Sequence, residues 1–137
     1  MNPPVVGLLE SALYVSNLDR SAEFYGRIFG FPVMFSEGDR MRALNVAGRQ
    51  VLLLFRIGAS TQPTQGSGGT IPPHDGSGNL HFAFAIGEDQ LERWRDWLAR
   101  NGVPIESEVK CGGTSLYFRD PDGHLVELIT PGCWPVY

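Results

Sequence analysis

With 137 residues, 42% of them hydrophobic and 19% charged, the chain has the balance of one globular domain with a single core. Its formal net charge is -4 and no Lys/Arg run stands out, so neither nucleic acid nor an anionic membrane is an expected partner. No stretch approaches the roughly 20 apolar residues that cross a bilayer. The segment Met1 to Pro4 lacks the basic and apolar regions of a secretory leader, which makes the cytoplasm the expected location. Cys111 and Cys133 form no CxxC pair and are expected to be reduced thiols without a catalytic role.

Residues 9–15 alternate as a strand does, and Ser16 and Asn17 punctuate before a helix over 18–29. The apolar residues of that helix, Leu18, Ala22, Phe24, Tyr25, Ile28 and Phe29, fall mostly on one face, and Gly30 stands where a C-terminal glycine belongs. Strand-like runs follow at 31–36, 41–46 and 50–57. Residues 58–79 are rich in Gly, Ser, Thr, Gln and Pro, longer than connections usual in a compact domain; they read as a linker or as a flap over a site. The order then repeats: a strand over 80–86, a helix over 88–101 ended by Gly102, and strands at 104–109, 114–119 and 124–130. The tail, 131–137, is irregular.

The repeat decides the architecture. Residues 10–15 (ESALYV) line up with 81–86 (HFAFAI), and 48–54 (GRQVLLL) with 123–129 (GHLVELI). The expected fold class is α+β. Two βαβββ modules, about 8–57 and 80–131, would form a curved mixed sheet around a cleft, with the helices outside, in one domain.

Strand period two then sorts the faces. In the second module Phe82, Phe84 and Ile86 point one way, while His81, Ala83 and Ala85 point the other. In the first, Ser11, Leu13 and Val15 oppose Glu10, Ala12 and Tyr14. Glu10 and His81 therefore occupy matched positions on roomy faces. Glu127 lies in the apolar run 125–129, where a carboxylate is costly to bury unless paired, protonated or bound to a metal. Its repeat counterpart by alignment is Leu52, so a site made by Glu10, His81 and Glu127 has three protein ligands and keeps open positions, the catalytic pattern.

The start SALYVSNLDRSAEFYGRIFGF and the ending YFRDPDGHLVELITP resemble the vicinal oxygen chelate superfamily. That group holds glyoxalase I, extradiol dioxygenases, methylmalonyl-CoA epimerase, and the fosfomycin and bleomycin resistance proteins. The resemblance covers nearly the whole chain. It implies paired βαβββ modules, often in a homodimer, around one divalent metal. It implies the same ligands: Glu10 in the first strand, His81 in the strand opening the second module, and Glu127 in the GHxxEL segment. Glyoxalase I typically adds a fourth ligand where Leu52 or Leu53 falls here, and extradiol dioxygenases typically use two His and one Glu; both assignments are weakened.

Other residues weigh less. Tyr14 is a candidate hydrogen-bond donor or proton shuttle, with aromatic packing as the alternative, and Glu10 or Tyr14 is a candidate base. Arg119 and Lys110 are candidates for holding an anionic substrate, although Arg119 could be solvated or paired with Asp120. Tyr117 suits a wall of the site. His124 is expected to face solvent, and His74, in the long connection, is set aside as a ligand. Residues 120–123 (DPDG) make a tight turn without a catalytic role.

The expected function is a metal-dependent enzyme acting on a small substrate that chelates the ion through neighbouring oxygens. Mn, Fe, Ni, Co or Zn suit such ligands. The alternative is a non-catalytic drug- or small-molecule-binding protein of the same fold.

Overall fold

A β-strand forms where side chains alternate, and in β1 (Glu10–Val15) the alternation is visible as burial: Leu13 and Val15 are buried while Ala12 and Tyr14 are half-buried. The chain then turns into α1 (Leu18–Phe29), whose first turn is capped by the Asn17 side chain accepting from the Arg20 N–H at 3.0 Å. The helix ends at Gly30, which takes the left-handed conformation with φ 73° and closes on the Gly26 carbonyl. Leu18, Phe24, Tyr25 and Ile28 carry its buried face. β2 (Val33–Glu37), β3 (Met41–Val46) and β4 (Gln50–Arg56) follow. They form a four-stranded sheet ordered β1-β4-β3-β2, with β1 parallel to β4 and the other pairs antiparallel.

The computed structural model describes residues 1–137 and divides into two compact units, 1–77 and 78–137. The second unit repeats the first. β7 (His81–Ala85) leads through one 3₁₀ turn (Glu88–Gln90) into α2 (Leu91–Arg100). Then come β8 (Ser107–Lys110), β9 (Thr114–Arg119) and β10 (Leu125–Ile129), in the order β7-β10-β9-β8 with β7 parallel to β10. Both halves thus share the βαβββ order expected from the repeat, in a mixed α+β fold of two four-stranded sheets.

The stretch 58–79, read as a linker or flap, has structure of its own. β5 (Thr64–Gly66) and β6 (Gly69–Ile71) form a short hairpin. The chain beyond it returns to the first sheet: the His74 N–H donates to the Ser60 carbonyl at 2.9 Å, and the Gly58 N–H donates to Asp75 Oδ1 at 3.2 Å. Gly76 is required there, because a Cβ would run into the Tyr14 ring. Composition hid this anchoring, since the segment itself holds few apolar residues and is tied down by backbone and side-chain hydrogen bonds and one close approach.

Two further expectations are corrected. Cys111 and Cys133 are joined in a disulfide, with Cα atoms 4.8 Å apart. Sequence separation could not show this. β9 and β10 form a hairpin whose open end brings residues before Thr114 beside residues after Ile129. Around the bond the backbones meet without side chains: a Cβ on Gly113 would strike the Pro131 carbonyl, and Gly112, at φ 98°, lies against the Gly132 carbonyl. The tail is held further by the Tyr137 hydroxyl, which donates to the Ile86 carbonyl at 3.1 Å.

His124, expected in solvent, is 1% exposed. Its Nδ1 accepts the Leu80 N–H at 2.9 Å, while Asp120 Oδ1 accepts the N–H groups of Asp122 and His124. The tight turn expected at 120–123 is present, closed by the Gly123 N–H on the Asp120 carbonyl. It folds His124 inward against the start of β7, so the turn and this imidazole together fix where β7 begins.

The disulfide closes a loop across residues separated by 22 positions, which by chain entropy is worth about 3 kcal/mol. Cys133→Ser, or reduction of the wild-type protein, is expected to lower unfolding stability by about that amount. Urea unfolding followed by tryptophan fluorescence, with and without a dithiol reductant, measures it; coincident curves would contradict the bond.

Candidate metal and substrate site

His81 is the first residue of β7, and the strand pairing aims its ring across β10. His81 Nδ1 lies 2.9 Å from the Leu125 carbonyl oxygen. A carbonyl only accepts, so Nδ1 carries the proton and Nε2 is left with its lone pair in the neutral ring. Nε2 lies 3.3 Å from Glu127 Oε1. The imidazole is half exposed, at 50% of its side-chain surface, while the Glu127 side chain is 9% exposed. A histidine tied by one nitrogen to a carbonyl, with the other free beside a buried carboxylate, is the usual arrangement of a metal-binding imidazole.

Glu127 sits in the middle of β10, opposite Tyr117 of β9 and Ala83 of β7. Its second oxygen, Oε2, accepts from the buried Ser115 hydroxyl at 2.5 Å. Sequence reasoning missed Ser115. The available signal was its place two residues before Tyr117 on the same face of a strand. Ala83 and Ala85 of the neighbouring strand are exposed and leave the space before the carboxylate open.

The residues expected to contact substrate divide by unit. Tyr117 and Arg119 belong to the second, where the Tyr117 ring lies 6.1 Å from the His81 ring. With Glu106, Ser107 and Leu125 they line an open groove of about 260 Å³. Arg119 pairs with Glu106, not Asp120: Nε and Nη2 donate to its two oxygens at 2.7 and 3.3 Å, and Nη1 donates to the Gly123 carbonyl at 3.1 Å. Hydrogen bonding to this guanidinium, more than the opposing desolvation, holds the Glu106 carboxyl below its ordinary range. An anion arriving at Arg119 competes with Glu106. Lys110 is likewise engaged, with Glu108 and Thr114, each at 3.1 Å.

Glu10 and Tyr14 belong to the first unit. Glu10 is exposed at the first position of β1. Its equivalence to His81 is visible in the backbone: the Val51 N–H bonds the Leu9 carbonyl at 2.9 Å, and the Leu125 N–H bonds the Leu80 carbonyl at 2.8 Å. The same register corrects the repeat alignment elsewhere. Glu10 pairs with Val51 and His81 with Leu125, so the residue matching Glu127 is Leu53, not Leu52. Leu52 is buried, whereas Leu53 packs with Ala12, Tyr14, Met41, Ala43 and Phe55 on the other face. A one-residue slip reverses a strand's faces, and gap placement in the sequence could not resolve it. Either residue is a leucine, so no fourth ligand arises in the first unit.

The Tyr14 hydroxyl shares a 2.8 Å hydrogen bond with His74 Nδ1, and the His74 ring stands edge-on to Phe55 with centroids 4.4 Å apart. Burial, and then the negative charge of Asp75, pushes the Tyr14 phenol above its ordinary value of 10.0. Within neither unit do three His, Cys, Asp or Glu side chains converge; His81 and Glu127 are brought together as a pair.

Residues 7–128 match the model of the glyoxalase/bleomycin resistance protein/dioxygenase superfamily, and the chain belongs to that family. It is 29% identical over 131 residues to the metallothiol transferase FosB of Shouchella clausii (strain KSM-K16), covering 92% of this chain and 81% of the relative. The crystal structure of lactoylglutathione lyase from Agrobacterium tumefaciens superposes with a TM-score of 0.86 at 29% identity, covering 97% of this chain and 99% of that one. The fosfomycin resistance protein FosX from Listeria monocytogenes superposes with a TM-score of 0.67 at 26% identity, covering 93% and 92%.

A raised phenol pKa favours neutral Tyr14 in the folded protein, and the associated stability is lost as pH climbs through the folded-state value. Spectrophotometric titration near 295 nm, taken as the difference between wild type and Tyr14→Phe so that the buried Tyr25 cancels, is expected to show a tyrosine ionising late. Tyr14→Phe removes that component, and Asp75→Asn shifts it towards lower pH. A difference titration centred at or below the ordinary value of 10.0 would refute the assignment.

Proposed function

We propose that this chain is a divalent-metal-dependent enzyme whose small substrate chelates the ion through neighbouring oxygens. The observation that carries the reading is the His81–Glu127 pair. Nδ1 is committed to a carbonyl, Nε2 is free, and a nearly buried carboxylate oxygen lies 3.3 Å away. These donors fit a divalent cation, which would also relieve the cost of burying the Glu127 charge. Glu10 is the proposed third ligand, on its matched position to His81. Leu53 at the place equivalent to Glu127 keeps the protein ligands at three.

A divalent ion held there would supply Lewis acidity to a substrate oxygen. The chain's own groups do the rest. His81 and Glu127 fix the ion's place. The exposed alanines of β7 leave room for the substrate. Tyr117 offers an aromatic wall, and Arg119 receives an anionic group by exchanging it for Glu106. Tyr14 is a candidate hydroxyl donor by exchange of its bond to His74, and Glu10 is a candidate base. Nitrogen and carboxylate donors suit Mn, Fe, Co, Ni or Zn, with the two carboxylates drawing towards Mn or Fe.

The proposal places the chain in the cytoplasm as one domain that works as a homodimer. The relatives' names supply the activities to try: thiol transfer, as for the metallothiol transferase, and lyase activity on lactoylglutathione, as for the lactoylglutathione lyase. Cytoplasmic residence would set the Cys111–Cys133 bond against a reducing thiol pool, and thiol titration of freshly lysed cells reads its state.

Calorimetric titration of chelator-treated protein with Mn(II), Ni(II) or Zn(II) is expected to give one site per chain. His81→Ala should abolish it, and Glu127→Gln should weaken it by about 10-fold or more. Full metal occupancy in His81→Ala would sink the ligand assignment.

A further inference from the structure

We infer that Ser115 is the positioning residue of the Glu127 carboxylate, and that its hydroxyl, at the braced end of its hairpin, reserves one carboxylate oxygen for the ion. The inference rests on the metal reading above and deepens it. β9 and β10 pair so that Ser115 faces Ile129 and Tyr117 faces Glu127. Ser115 and Glu127 are therefore diagonal neighbours on one face, a separation short enough for a hydroxyl and a carboxylate to meet. They meet at 2.5 Å, Ser115 Oγ to Glu127 Oε2, with Ser115 only 1% exposed.

The proton's direction follows from chemistry. Ser115 Oγ has a second neighbour, Cys111 Sγ, at 3.9 Å. That sulfur is bonded to Cys133 and has no S–H, so it cannot donate. The carboxylate is acceptor-only when ionised. Of the two acceptors the carboxylate is nearer and much stronger, so the Ser115 hydrogen goes to Oε2. With Oε2 occupied, the lone pairs of Oε1 are left on the side of His81 Nε2, 3.3 Å away. The carboxylate is held to present one oxygen, in one rotamer, beside the imidazole.

The end of the hairpin that carries Ser115 is unusually well fixed. The Thr114 N–H donates to Thr130 Oγ1 at 2.8 Å, and the Thr130 N–H donates to the Thr114 carbonyl at 3.0 Å. The disulfide lies just beyond. Such bracing makes the hydroxyl a rigid donor and not a rotor that finds another partner. Outer contacts of this kind typically change metal affinity by 10- to 100-fold.

The test compares Ser115→Thr with Ser115→Val, which match in shape and differ in the hydroxyl, alongside Ser115→Ala. Mn(II) alone is titrated into chelator-treated protein, with affinity read by calorimetry and coordination by electron paramagnetic resonance. Thr is expected to bind within about threefold of wild type, and Val and Ala about 10-fold more weakly, with an altered Mn(II) spectrum. A merely structural hydroxyl would move the melting temperature and leave affinity and spectrum alone. Equal affinity in the Thr and Val variants overturns the inference while leaving the metal reading intact. Wild-type protein that takes up no divalent ion overturns both.

Discussion

A carboxylate in the middle of a buried strand is the constraint around which the second unit is arranged. Glu127 has Val126 and Leu128 on either side, both fully buried, and is itself 7% exposed. Ionised and unpartnered, it would cost several kcal/mol relative to water. The fold answers on two sides. Ser115, diagonal across the antiparallel pair, supplies a hydroxyl to one oxygen. His81, from the parallel neighbour, sets its unprotonated Nε2 3.3 Å from the other, the gap that the proposed cation would fill. Each answer depends on strand register, and the hairpin bracing at Thr114 and Thr130 and the inward-folded His124 secure that register from opposite ends.

The two units show how one backbone plan carries two kinds of surface. In the first, the face that carries Glu10 is built from Ala12, Tyr14, Met41, Ala43, Leu53 and Phe55, and the returning segment lays His74 and Gly76 on it. In the second, the matched face carries His81, Ser115, Tyr117, Glu127 and the exposed alanines of β7. Apolar residues in one place favour packing by the chain's own loop. Polar groups with unspent lone pairs in the other favour a ligand. The duplication supplies a frame, and divergence of a few face positions assigns the roles.

Much of the frame was legible in the sequence because it is written in local terms. The limits of α1 follow from Asn17 and Gly30, whose capping chemistry acts within a few residues. The alternation in β1 and β7 marks the faces of Glu10 and His81 directly. What escaped was non-local. The Cys111–Cys133 bond, the burial of His124, the anchoring of 72–77 on Tyr14 and Phe55, and the match of Leu53 to Glu127 each join residues distant along the chain. Arg119 was expected in solvent or paired with its sequence neighbour Asp120, yet Asp120 spends its oxygen on the turn's own N–H groups and Arg119 reaches across to Glu106.

By itself the sequence determined the repeated βαβββ order, the family, and the presence of Glu10, His81 and Glu127 on strand faces, since periodicity, caps and turn residues act over short spans. Tertiary structure alone decided which atoms of those residues are free. The Leu125 carbonyl claims one nitrogen of His81, the Ser115 hydroxyl claims one oxygen of Glu127, and His74 claims the Tyr14 hydroxyl. A side chain's chemistry belongs to its residue type, but the lone pair it has left to offer is set by strand register and by neighbours many residues away.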